Sequence, residues 1–405
     1  MKNLYLALTV FSLSSTIVFG QFHTSEPLTN GEGSKYEFTK IAHLDATPVQ
    51  SQGYTGTCWS FSALSFFESE MIRMGTENPP LLSEMYVARK AYEGKAEKYI
   101  RMDGKIQFSQ GGTFPDISYV MKTFGIVPEE IYDGLSYGMA THNHSELFAV
   151  LDGAVQGMLD HSKSTSRPLT NAWKEAFNGI LDAYLGEDIT EFEFEGKKYT
   201  PKSYAKKTGL VMEDYISLTS FSNHDWYKPC ILAIPDNWSW GTSHNIKLDE
   251  LMSATEYALK HGYTVAWDAD VSEGGFSFGN GLAINPVDLS TLEVSGSDSP
   301  YFSDGGADKK SNAFLSPVEE VEVTQELRQE GYDNKKTQDD HLMHIVGVYK
   351  DQEGTKYFLV KNSWGTSNYP EGYLYVSESY FKMKTISVYM HKDGVAKSML
   401  KKLNL

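Results

Sequence analysis

The chain of 405 residues has only two cysteines, Cys58 and Cys230. That scarcity excludes a disulfide framework and a zinc module built on cysteine pairs. Positive charge is scarce as well: 36 Lys and Arg against 53 Asp and Glu leave a formal charge of −17. Such a balance gives no long-range attraction to nucleic acid or to anionic membranes, so neither is expected as a partner. Past the first twenty residues no apolar run approaches the ~18 residues that a spanning helix needs, so no stable membrane anchor is expected. No segment recurs at a fixed period, which excludes solenoids and propellers. What the chain does have is apolar substance, 40% hydrophobic and 13% aromatic. That suffices for a sizeable core, in two or three ordinary domains or one large two-lobed enzyme.

Residues 1–20 read as a signal peptide. Lys2 gives a minimal positive region, Leu4 to Phe19 is mostly apolar, and Val18-Phe19-Gly20 ends in the small residue a cleavage site prefers. Export to a periplasm or the extracellular space is therefore expected. Removing this segment with its one lysine takes the formal charge from −17 to −17 − 1 = −18.

The stretch that organises the rest is Gln52-Gly53-Tyr54-Thr55-Gly56-Thr57-Cys58-Trp59-Ser60-Phe61. A Gly-containing turn delivers Cys58 to an apolar run through Ala63, Leu64, Phe66, Phe67, Met71, Ile72 and Met74, uninterrupted by Pro or Gly. Its length predicts a buried helix, with Thr57 at the N-cap position and Cys58 in the first turn. There the unpaired N–H groups and the helix dipole favour a thiolate, the nucleophilic form of cysteine. The same spacing also fits a buried structural cysteine.

Two later stretches carry complementary chemistry. Asp339-Asp340-His341-Leu342-Met343-His344-Ile345-Val346-Gly347 opens a strand, and either imidazole could serve as a base. Positions 341 and 344 face opposite sides of a strand, so at most one points into a common cleft. Val360-Lys361-Asn362-Ser363-Trp364-Gly365 is the second. Between these lie Gln110-Gly111-Gly112 before an amphipathic helix, helical patterns at 145–160 and 169–185, and a short hairpin near 191–200. Thr200-Pro201 opens another helix, strand-like alternation follows at 211–235, and a Trp-rich loop runs from Asp236 to His244. A helix at 248–261, a buried strand at 262–271 and a Gly/Ser/Asp-rich surface excursion from Gly274 to Lys310 complete the pass.

Gln, five residues, then Cys-Trp-x-Phe, together with the His and Asn-Ser-Trp-Gly stretches in that order, resembles the papain-like cysteine peptidases. Thr55 stands where the common papain pattern has a second cysteine. The interval from Cys58 to His341, 341 − 58 = 283 residues, exceeds the ~130–150 of compact members. Both departures are similar to the bleomycin hydrolase and aminopeptidase C branch.

The resemblance implies an α+β, papain-like two-lobed fold. A mainly helical lobe would cover about 49–235, with an insertion near 140–210. A mainly antiparallel, barrel-like β lobe would cover about 236–405, with a surface excursion near 273–335. It implies Cys58 as nucleophile and, through the spacing to Gly347, His341 as its partner, with His344 left to packing. Asn362 would orient the His341 ring, Trp364 would shield that bond, and Gln52 with the Cys58 N–H would hold the oxyanion. Gly111 and Gly112 would line the substrate backbone. Peptides are the implied partners, no metal or organic cofactor is called for, and a homo-oligomer is compatible with the family.

Relatives on this branch hold a substrate's amine with a C-terminal carboxylate. Here the last strand, near Thr385 to Met390, is followed by a short tail bearing Lys397, Lys401 and Lys402. The amine clamp is therefore expected to be weak or absent and internal bonds to be accessible. Two other readings compete: a Cys/His acyltransferase, and a retired peptidase scaffold acting as a secreted peptide- or glycan-binding protein.

Overall fold

The computed structural model describes residues 28–164, 167–292, 296–301, 304–305 and 312–405. The expected signal peptide lies outside the described residues.

After strand β1 (Thr39–His43) the unbroken apolar run becomes α1 (Cys58–Arg73), buried from Cys58 to Met71. Thr57 takes the N-cap position but does not cap with its side chain. Its hydroxyl pairs with Thr55 Oγ1 at 2.5 Å, so the first-turn N–H groups of α1 are not consumed by it. Helix α2 (Glu84–Arg101) starts where Ser83 Oγ accepts from the Tyr86 N–H at 3.0 Å. Helix α3 (Phe114–Thr123) starts where the Asp116 carboxylate reaches back to the Thr113 N–H at 2.7 Å.

Helices α4 (Ser145–Ser164) and α5 (Ala172–Leu185) turn Leu147, Leu151, Val155 and Phe177, Leu181, Leu185 inward, at the spacing of an amphipathic stripe. The hairpin β2 (Phe192–Phe194) and β3 (Lys197–Tyr199) turns on Glu195-Gly196, both at positive φ. Helix α6 (Pro201–Thr208), capped by Thr200, closes this half, which shares one apolar core.

The second half is a sheet with helices on it. Its elements are β4 (Tyr215–Thr219), β5 (Pro229–Ile231), β6 (Thr242–Asn245), α7 (Leu248–Lys260), β7 (Val265–Ala269), β8 (Phe276–Ser277) and β9 (Leu282–Ala283). There follow α8 (Asn312–Leu315), α9 (Gln325–Asp333), β10 (His341–Lys350), β11 (Lys356–Lys361), β12 (Tyr373–Ser377), α10 (Glu378–Lys384), β13 (Thr385–His391) and α11 (Lys397–Leu403). Among the described residues eleven strands join in the order β5-β6-β4-β13-β7-β10-β11-β12-β9-β8, with β1 paired to β10. Pairing is antiparallel except for β4 with β6 and β9 with β12. Strand β10, ten residues long, is bonded to β7, β11 and β1 and lies against α1.

Three boundaries differ from the sequence reading. The β lobe begins near residue 215, not 236, because the alternating residues of β4 to β6 extend the same sheet as β13. The segment before residue 49 supplies β1 to that sheet and so is not only an extended lead. The Gly-rich excursion after 273 is partly internal, since Phe276 and Phe278 are buried and β8 and β9 carry the sheet's far edge. Among the described residues no helix is long and apolar enough to cross a membrane.

The two halves meet along α1. The Phe66 ring packs edge-on against Tyr215, Tyr389 and His344 at 5.6, 5.9 and 6.0 Å between centroids. These contacts span β4, β13 and β10 from a single helical side chain. Phe66→Ala should therefore lower unfolding free energy by about 3–5 kcal/mol in urea titrations. A loss below ~1 kcal/mol would show that this seam does not hold the halves together.

Candidate active site

The seam brings the three expected stretches together. Cys58 opens α1, His341 opens β10, and Asn362 follows directly on β11. All are buried: Cys58 is 5%, His341 0%, Asn362 3% and Gln52 1% exposed. The Leu342 backbone N–H lies close enough to the Cys58 sulfur to favour its thiolate, which sets the thiol beside the start of β10.

The ring of His341 is oriented through Asn362. His341 Nε2 lies 2.7 Å from Asn362 Oδ1, and the Ser363 N–H donates to that same oxygen at 2.7 Å. A backbone N–H can point only at an acceptor, so it fixes which end of the amide is oxygen. Nε2 must then carry the hydrogen, and Nδ1 is the ring's basic nitrogen. Trp364 lies against the same ring, with centroids 4.7 Å apart and planes 32° apart. Phe276 and Phe278 pack edge-on to the Trp364 indole at 6.0 and 5.4 Å, so the excursion helps keep water from the bond. His344 points to the other side of β10, where Ser65 Oγ meets its Nδ1 at 3.0 Å.

Gln52 is tied to the third stretch. Its Oε1 accepts from Ser363 Oγ at 2.7 Å, its backbone N–H donates to the Ser363 carbonyl at 2.9 Å, and its Nε2 donates to the Thr55 carbonyl at 2.7 Å. An amide nitrogen has a second hydrogen, so one donor remains for a ligand. Gln110 bolts the glycine segment to the cysteine turn. The Gly56 N–H donates to its side chain at 2.8 Å, and Trp59 Nε1 donates to its carbonyl at 2.9 Å. Gly112 faces Trp59, where a Cβ would fall 2.8 Å from the indole. The Gly111 carbonyl already accepts from Lys95 Nζ, so that edge is not wholly open to a substrate backbone.

Burial governs the electrostatics. It pushes the Cys58 thiol up to about 12, against the lowering effect of the Leu342 N–H. It also takes His341 down to about 4, against the bond to Asn362. Each group alone would be neutral at pH 7.

Two features were not reached from the sequence. Lys361 is buried beside Asn362 and donates to Ser65 Oγ at 2.7 Å and Thr47 Oγ1 at 3.2 Å, tying β11 to α1. Its signal was a lysine inside the apolar strand Tyr357-Phe358-Leu359-Val360. Asp236, whose carboxylate sits against Gly111, had no local signal, because a loop brings it from far along the chain. In the same loop Trp238 is buried and Trp240 is half exposed under Lys98. Among the described residues no group of three His, Cys, Asp or Glu side chains is arranged to hold a metal ion.

Comparison with known proteins agrees with this architecture. Residues 318–391, which hold both His341 and Asn362, match the model of the papain family cysteine proteases. Aminopeptidase G of Lactobacillus delbrueckii subsp. lactis is 22% identical over 393 residues, covering 87% of this chain and 83% of the relative. Aminopeptidase E of Lactobacillus helveticus is 22% identical over 403 residues, covering 88% and 84%. The crystal structure of PepW from Lactobacillus rhamnosis superposes with a TM-score of 0.69 at 18% identity, covering 90% of this chain and 84% of that one.

These matches support a papain-like cysteine-type peptidase similar to the aminopeptidase C branch, and the superposition gives the chain the same α+β fold as PepW.

The orientation of His341 is directly measurable. In a Cys58→Ala background, where no thiol proton can reach the ring, ¹⁵N spectra at pH 7 should show the Nε2–H tautomer. Adding Asn362→Ala should mix the two tautomers. A wholly Nδ1–H ring with Asn362 intact would overturn the assignment.

Proposed function

We propose that the protein is an exported aminopeptidase that cleaves peptide bonds through a Cys58–His341 pair. The observation that carries the reading is the Leu342 N–H close to the Cys58 sulfur beside a ring whose Nε2 is held by Asn362. Export rests on the apolar segment at 1–20, and the terminal-residue preference on the kind of relatives that the chain resembles.

The thiol proton passes to His341 Nδ1. Taken singly each group is held neutral by burial, but created together the two charges attract one another in a low-dielectric site. The thiolate also lies at the N-terminus of α1, whose dipole favours it. Sulfur then attacks the scissile carbonyl carbon, and the carbonyl oxygen takes the negative charge. The second Gln52 Nε2 hydrogen and the Cys58 N–H are the donors for that oxygen. The C–N bond breaks as His341 gives its proton to the leaving amine, which leaves a thioester on Cys58. Water, losing a proton to His341, attacks the thioester. The acid departs and the proton returns to sulfur.

A second reading, cleavage of internal bonds, was expected from the tail. Helix α11 docks on the β lobe, with Met399 and Leu403 in its core and Lys402 Nζ paired to Glu250 at 2.6 Å.

The pH profile of alkylation tests the pair. With a thiolate–imidazolium at rest, iodoacetamide should modify Cys58 at pH 6 within about threefold of its rate at pH 8. A rise of about tenfold per pH unit across that range would mean that the thiol stays protonated. The ion-pair mechanism would then be wrong.

A further inference from the structure

We propose that Asp236 receives the free α-ammonium of the substrate and bars a longer chain from running past Gly111. This rests on the aminopeptidase reading above and names the group that would make it so.

The placement is tight. A Cβ built on Gly111 would fall 1.7 Å from Asp236 Oδ2 and 2.3 Å from the carboxyl carbon, so the carboxylate lies directly over that glycine. Only a residue without a side chain lets the carboxylate come this close. Ser109 Oγ donates to the other oxygen, Oδ1, at 2.9 Å and fixes the rotamer. The segment that carries both contacts is bonded through Gln110 to Gly56 and Trp59, on either side of the nucleophile. Asp236 is also near enough to Cys58 to add to the rise that burial imposes on the thiol. Its carboxylate is thus within electrostatic reach of the reactive sulfur while remaining partly open to solvent.

One buried cation already lies within electrostatic reach of it: burial lowers the Lys95 ammonium and the Asp236 carboxylate raises it. Lys95 donates its hydrogen bonds to the Ser109 carbonyl at 2.9 Å and to the Gly111 carbonyl, so Asp236 keeps its own oxygens for Ser109 and a ligand. Asp116 is occupied by Thr113 and Ser239. Asp339, the other carboxylate that acts on Cys58, is partly exposed like Asp236, but its carboxyl is raised well above the usual range, first by burial and then by the Asp268 carboxylate. Asp236 is therefore the carboxylate most available to a ligand. An extended peptide that continued beyond the scissile residue along Gly111 would meet this carboxylate. A chain that ended there would place its ammonium against it, a charge-assisted contact. The role that the family resemblance gives to a C-terminal carboxylate would fall here to a side chain held by Ser109.

The test needs labelling only, so it does not depend on turnover. Leucine chloromethyl ketone, its N-acetyl derivative and its des-amino analogue are each offered to the whole protein, and Cys58 alkylation is followed by intact mass. The free-amine reagent should react about 10²-fold faster than either of the others. In Asp236→Asn that ratio should collapse to within about threefold, and Asp236→Glu should restore part of it. A wild-type ratio near one would overturn the proposal, as would a ratio unchanged in Asp236→Asn. If the ratio holds while leucyl amides are not hydrolysed, the amine site stands and the peptidase reading of Cys58 fails instead. The wild-type comparison with the des-amino analogue decides the matter even if Asp236→Asn does not fold.

Discussion

One oxygen atom sets the chemistry of the cleft. Asn362 Oδ1 accepts from the Ser363 backbone and from His341 Nε2, both at 2.7 Å. The first bond identifies the oxygen, and the second places the proton of the ring. Everything that follows needs that order. With the hydrogen on Nε2, the basic Nδ1 is the nitrogen that can take the thiol proton, and Trp364 keeps water from competing for the shared oxygen. The neighbouring Ser363 hydroxyl sets the Gln52 amide, so one short stretch after β11 positions both the proposed base and the proposed oxyanion donor.

Holding that stretch in place has an electrostatic cost. Lys361, one residue before Asn362, is buried among Thr47, Ser65, Glu68 and Glu84. Burial draws its ammonium down to about 8 and pushes Glu68 up to about 7. A buried cation bonded to two hydroxyls contributes little net stability, since its desolvation offsets what the bonds return. It does fix register, because Ser65 and Thr47 can reach Lys361 only when β11 lies at one position along α1. The same Ser65 bonds His344 on the adjoining strand. The polar layer under the site thus aligns α1 and β10, which carry Cys58 and His341, with β11, which leads into Asn362.

Much of this could be read in the chain because it is local. An apolar run without Pro or Gly makes α1, a Thr-Pro pair starts α6, and alternation marks β2 and β3. Opposite faces of β10 separate His341 from His344, as the period of a strand requires. The fold class followed from the order of three motifs, which resemblance made interpretable. What stayed hidden is non-local. Strand β1 could not be assigned to β10 from five residues of unremarkable pattern, and the internal Phe276 and Phe278 were masked by the Gly and Ser around them. Thr57 sits at the cap position, but its hydroxyl is taken by Thr55, a choice that sequence spacing does not encode. Asp236 reaches Gly111 across more than a hundred residues, and no periodicity connects them.

The account stands on Cys58 being the nucleophile of a peptidase. The most direct measurement is stoichiometric inactivation, in which an epoxysuccinyl reagent is added in substoichiometric steps and hydrolysis of a peptide mixture is compared with intact mass after each. Activity should fall in proportion to a single adduct on Cys58, with Cys230, whose thiol burial also raises, left unmodified. Full modification of Cys58 with hydrolysis retained would contradict the account.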